Sequence, residues 1–235
     1  MRAKLPLLML FFMATGQASF DRNIMLELYS SESCSSCPPA DLWVGTLVND
    51  PKVFKTLFPV VFHVDYWNHL SWKDGLSSDT MTQRQIDLSH QWDKSSVYTP
   101  GFIVNGLEWR KWGKDPLPES SGKSPYQLKL AETGVLQVTV DIKRSKIAAN
   151  NKLILRAALL GFGIETNVTD GENTGRKLTH NFVVLDWDWK NADTGNKIVM
   201  RFKRPKQKYT KLAAVAWLEE AGNPTPLQVT GGFLK

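Results

Sequence analysis

Cys34 and Cys37 are the only cysteines among the 235 residues, and they sit where an apolar run gives way to a helical one. One pair cannot build a disulfide-rich scaffold, so the fold has to be held by its core. A hydrophobic fraction of 42%, with 9 Trp and 11 Phe, is ample for that. Upstream, Ile24 to Tyr29 reads as a short strand interrupted by Glu27; downstream, Pro39 to Val48 reads as a helix carrying Leu42, Trp43 and Leu47. Two thiols three positions apart can close a small disulfide, and the positive end of a helix favours a thiolate beside it. A lowered thiol pKa gives a better attacker near neutral pH and a better leaving group. Pro38 and Pro39 lack amide hydrogens, so the helix is expected to begin at Pro38 and to leave both cysteines in the loop before it.

The compartment decides whether such a pair can be oxidised. Arg2 and Lys4 precede an apolar stretch from Leu5 to Ala14, and Gly16-Gln17-Ala18 offers a small-x-small cleavage point. Residues 1–18 therefore read as a signal peptide. An apolar stretch of about ten residues is short of the roughly twenty that a spanning helix needs. An uncleaved anchor is the rival reading. The mature chain is expected to be periplasmic or secreted, where disulfides persist, with no stable membrane span after cleavage.

Charge and patterning divide the remainder. Residues 19–125 carry 10 basic and 13 acidic side chains, whereas residues 126–235 carry 17 and 10. Residues 114–125, rich in Pro, Ser and Gly, read as a linker. In the first half, Phe58 to Val64 is a buried strand, Ser78 to Lys94 a polar helix, and Asn105-Gly106 joins Phe102-Ile103-Val104 to Leu107-Glu108-Trp109 as a hairpin. Strand, helix, strand, helix and hairpin indicate an α/β domain. In the second half Leu136, Val138, Val140 and Ile142 alternate with polar residues, and Val183, Leu185, Trp187 and Trp189 alternate with Asp186 and Asp188. Ile198, Met200 and Phe202 share a face, Leu212, Ala214, Ala216 and Leu218 do likewise, and Leu153 to Leu160 suits a central strand. Period-two strands without a helix predict a β-sandwich-like domain over residues 126–235.

The cysteine pair has competing uses. Zinc requires two further ligands, and none of His63, His69, His90 and His180 has a paired spacing. A cuprous site from both thiols and His63 is the softer-metal alternative. A structural disulfide is the third, although so short a loop constrains the unfolded chain little. No resident cofactor or metal is expected.

Four features together resemble the thioredoxin fold: Cys34-Ser35-Ser36-Cys37 between strand and helix; Glu27 inside the preceding strand; Thr99-Pro100 before Phe102-Ile103-Val104; and the Asn105-Gly106 turn. The strings LELYSSESCSSCPPAD, VVFHVDYWNHLSWKD, YTPGFIVNG and DGENTGRKLTHNFVV are similar to a family of secreted bacterial proteins catalogued as domain of unknown function twelve-twenty-three. The resemblance runs from about Met25 to the C-terminus. It implies a thioredoxin-like domain over residues 19–125 followed by a β-rich one. It implies Glu27 as a buried proton relay for Cys37, with pairing to a buried Arg or an outward place on an edge strand as the alternatives, and a cis Thr99–Pro100 bond facing the thiols.

On this reading Cys34, the more exposed thiol, forms a mixed disulfide that Cys37 resolves, while the Thr99-Pro100 backbone holds the partner chain. Tyr66 and Trp67 would form a docking wall, or else simply cap the core. The partners are protein thiols or disulfides of the cell envelope. The alternatives are a non-catalytic binding module and a thiol-based metal binder. Six positive charges between Arg201 and Lys211 read as a solvated strand end and turn, and nucleic acid is not an expected partner. The oligomeric state is not legible in the sequence.

Overall fold

The computed structural model describes residues 19–94, 96–119, 122–192 and 196–235; the segment read as a signal peptide lies outside the described residues. The first half runs β1 (Phe20–Asp21), β2 (Ile24–Ser30), α1 (Pro38–Thr46), β3 (Leu57–His63), α2 (Asp79–His90), β4 (Gly101–Val104) and β5 (Leu107–Glu108). The second adds β6 (Lys123–Ser124), β7 (Tyr126–Gly134), β8 (Gln137–Arg144), β9 (Leu153–Asn167), β10 (Lys177–Asn191), β11 (Lys197–Arg201), β12 (Lys211–Glu220) and β13 (Asn223–Phe233).

Every residue of β2 and β3 is buried, which suits parallel neighbours covered on both faces. β4 runs antiparallel to β2, and β5 to β4. Asn105 and Gly106 both adopt positive φ, 49° and 85°, as the tight hairpin between β4 and β5 requires. α1 starts at Pro38 with Cys37 as its N-cap, because the missing proline amides would have no helical partner there anyway. α2 is capped by Ser78, whose Oγ accepts from the Met81 amide at 3.3 Å.

The expected division at residue 125 does not separate two bodies. One eight-stranded sheet, ordered β13-β12-β9-β10-β3-β2-β4-β5, contains strands from both halves. Its junction is β10 alongside β3, where Val183 pairs in parallel with Val61. Side-chain alternation reports which faces of a strand are apolar, but not which strand lies beside it. The supposed linker is paired as well, in a separate two-stranded sheet where Lys123 and Ser124 face Asp21 and Phe20. The sandwich-like character survives locally: the three-stranded sheet β11-β8-β7 buries Val138, Val140, Ile142 and Met200 against Leu155, Ala157, Ala214 and Leu218 of the large sheet.

The two helices cover opposite faces. Glu27 and Ser30 are three positions apart on β2 and so point to opposite sides. Glu27 meets Arg84 of α2, and Ser30 meets Asp41 of α1. On the α1 side, Trp43, Trp109 and Trp112 close around Phe102, with ring centroids 5.0–6.0 Å from it. Trp109 and Trp112, from the segment after β5, thus extend the cover that α1 begins with Trp43.

Candidate functional site

The chain leaves β2 at Ser30, turns through residues 31–36 and enters α1, so the cysteines stand at the C-terminal end of a central parallel strand. Both are free thiols and both are buried, Cys34 at 2% accessibility and Cys37 at 0%. Cys34 Sγ lies 3.3 Å from Ser36 Oγ and 3.9 Å from the Thr99 carbonyl oxygen. A hydrogen bond from the Cys37 thiol pulls the Cys34 pKa down to about 6, with Ser36 and Thr99 assisting and burial opposing. Burial pushes the Cys37 thiol far up, and the neighbouring Cys34 sulfur reinforces this. At neutral pH the arrangement is one thiolate beside one thiol.

The Thr99–Pro100 peptide bond is cis, as the resemblance implied. Trp67 Nε1 donates to Thr99 Oγ1 at 2.8 Å, and the Tyr66 hydroxyl donates to Gln85 Oε1 at 3.3 Å. Burial raises the Tyr66 pKa, and the two cysteine sulfurs add to the effect. Cys34, Cys37, Thr99, Pro100, Tyr66 and Trp67 thus form one neighbourhood.

Glu27 does not belong to it, which corrects the expectation of a proton relay. Its two carboxylate oxygens are taken by Arg84, at 2.7 and 3.1 Å, and Tyr29 donates to it at 2.8 Å. Arg84 also binds Glu219 at 2.6 Å, so Glu27 is part of a buried ion-pair network under α2. The acid on the cysteine side is Asp41, one helical turn beyond Cys37, whose charge contributes to raising the Cys37 pKa. Burial raises Asp41 itself, partly offset by His63 and His180.

Asp41 opens onto a polar cluster inside the fold. The His63 and His180 rings, on adjacent strands β3 and β10, pack edge to face with centroids 4.9 Å apart. His63 Nδ1 is 2.6 Å from Asp74 Oδ2, and His180 Nε2 is 3.2 Å from Glu32 Oε1. Burial alone would depress His63, but Asp74, with Asp41 and Glu32, carries its pKa to about 9. Asn173 closes the loop from above: its Nδ2 donates to the carbonyls of Glu32 and Cys34 at 2.8 and 3.0 Å. Glu172 accepts from the Ser35 amide at 3.2 Å. A separate groove of about 390 Å³, lined by Arg84, Arg156, Trp187 and Trp189, lies on the Glu27 side and does not include the cysteines.

A family model described as a protein of unknown function, DUF1223, matches residues 25–219. The chain belongs to the DUF1223 family. No curated protein matches it. A crystal structure of an Agrobacterium tumefaciens protein is similar at a TM-score of 0.62 and 23% identity, covering 92% of this chain and 96% of that one. HBP35 of Porphyromonas gingivalis gives the same TM-score of 0.62 at 18% identity, covering 93% of this chain and 77% of that one. At these identities the likeness is one of fold.

Sequence reasoning missed Asp41, Asp74, Glu32 and Asn173 in this DUF1223 chain, and weighed His180 only as a further metal ligand beside the thiols. Asp41 carried a usable signal, four positions after Cys37 and therefore on the same side of the helix. Glu32 and Asp74 lie in loops of the first half, whereas His180 and Asn173 arrive from the second half, where β10 lies beside β3.

Proposed function

We propose that this DUF1223 chain is an exported thiol–disulfide oxidoreductase with a thioredoxin-like core, acting on protein thiols or disulfides of the cell envelope. The observation that carries the proposal is the opposite displacement of the two thiols: Cys34 drawn down to about 6 and Cys37 driven up, beside the Thr99 carbonyl. The strand order β3-β2-β4-β5, with the cysteines after β2 and cis Pro100 before β4, supports the fold assignment. In the oxidising direction a partner thiolate attacks Cys34 of the closed disulfide. The sulfur–sulfur bond to Cys37 breaks, and Cys37 leaves and takes up a proton. A second partner thiolate then attacks the mixed disulfide and expels Cys34 as a thiolate. The partner is oxidised and the pair is reduced. A stabilised Cys34 thiolate favours the reduced form, hence the disulfide-donating direction. Tyr66 and Trp67 flank the position a partner chain would take.

A second reading, a binding module with a structural bridge, draws on the burial of both thiols and the cover supplied by Glu172 and Asn173. The reduction potential separates the two. Equilibration with glutathione buffers and alkylation should place the pair between about −120 and −270 mV, toward the oxidising end; a value below about −300 mV would mark a structural bridge. Cys34→Ser should abolish exchange, and unaltered exchange in that variant would remove the oxidoreductase reading.

A further inference from the structure

We propose that Asp41, His63 and His180 form a binding site for a divalent first-row transition cation of the zinc type, separate from the two thiols. One donor atom from each of the three residues lies within 4.8 Å of the others, and all three residues are buried. Each histidine keeps one ring nitrogen without a protein partner, His63 Nε2 and His180 Nδ1. A buried imidazole nitrogen left unpaired is costly unless something meets it. The opposite nitrogen of each ring is held by a carboxylate, Asp74 for His63 and Glu32 for His180. Carboxylate–imidazole pairing of this kind fixes the ring and makes the far nitrogen a better ligand.

The outer groups are themselves anchored. Asp74 accepts the amides of Glu32 and Leu76, both at 2.8 Å, and Glu32 Oε2 accepts from Trp72 Nε1 at 2.9 Å. Ser30 Oγ donates to Asp41 Oδ2 at 2.8 Å, which leaves Asp41 Oδ1 for the cation. Charge points the same way. Three carboxylates, Asp41, Glu32 and Asp74, face the two rings among buried side chains, and a dication that displaces the proton from His63 Nε2 offsets the remaining negative charge. Two imidazoles and one carboxylate suit zinc and its neighbours and leave at least one coordination position open. The inference does not depend on the thiols being redox-active.

The test uses the mature chain with Cys34→Ser and Cys37→Ser, so that thiolate binding is removed. After chelator treatment, zinc is titrated by calorimetry and cobalt by visible absorption. The expected result is one equivalent of each, with a cobalt spectrum free of thiolate charge transfer, and zinc-dependent shifts in the ring nitrogens of His63 and His180. Glu32→Gln, which keeps shape but weakens the support of His180, should lower zinc affinity by about 10- to 100-fold. His180→Gln should lower it further. Absence of binding by the thiol-free chain would overturn the site. So would shifts confined to the exposed His69 and His90. Undiminished affinity in a folded His180→Gln variant would do the same.

Discussion

Arg84 grips both oxygens of Glu27 from a helix and reaches Glu219 on the far half of the chain with the same guanidinium. Arg156 binds the other oxygen of Glu219 at 2.7 Å, and Trp217 Nε1 donates to Glu219 at 2.6 Å. The network fastens α2 to β2, β9 and β12, so it works as a clamp across the shared sheet.

Glu27→Gln should therefore damage stability and spare chemistry. Removing one member of a buried ion pair leaves a charge without its counterpart, at a cost of about 3–5 kcal/mol. Chemical denaturation should report that loss, while thiol exchange in the still-folded variant keeps its wild-type rate. A tenfold slower exchange without loss of stability would restore Glu27 as the relay.

Asn173→Ala tests the cover over the cysteine loop. The substitution leaves the buried carbonyl of Glu32 without its donor, a penalty of about 1–3 kcal/mol, and takes one of two donors from the Cys34 carbonyl, which keeps the Cys37 amide. With the loop released, Cys34 should react faster with iodoacetamide. Destabilisation with an unchanged alkylation rate would mean that this loop does not govern access to the thiol.

Gly106→Ala probes the hairpin after cis Pro100. A Cβ at this position, where φ is +85°, would approach the Thr225 side chain to 2.8 Å. Positive φ in a residue other than glycine costs about 1–3 kcal/mol, before the clash with β13 is counted. The melting temperature should fall accordingly, and a melting temperature equal to the wild type would show that the turn relaxes freely.

The first half of the chain was legible because its signals are local. An apolar run, two prolines, a serine cap and Asn-Gly each act within a few residues, and the observed elements fall close to where they point. β13 escaped because Pro224 and Pro226 break strand patterning; the strand tolerates them by lying at the sheet edge. β7 carried alternation at Tyr126, Leu128 and Leu130 but followed directly on what reads as a linker. Glu27 stood between two readings because an acid among apolar residues looks the same whether it relays a proton or pairs with a distant arginine; the structure supplies the arginine. The histidine cluster was hidden for a related reason: His180 reaches His63 and Glu32 only through the β3–β10 pairing, which no spacing encodes.

The two thiols should give the reduced protein a stability profile that the oxidised protein lacks. The Cys34 pKa is about 6 in the fold against an ordinary value of 9.0. Between those values the unfolded chain binds more protons, so stability rises with pH; this contribution is complete above about 9 and is lost as pH falls through 6. Cys37 is displaced the other way. Above pH 9 its unfolded thiol ionises while the buried one stays protonated, so stability declines again. The thiol contribution should therefore peak near pH 9. Closing the disulfide removes both titrations. Melting temperatures of reduced and oxidised protein, compared from pH 5 to 10, should differ by an amount that shifts in favour of the reduced form up to about pH 9 and then against it. A difference independent of pH would mean that neither thiol is displaced, and the thiolate on which the oxidoreductase proposal rests would be gone.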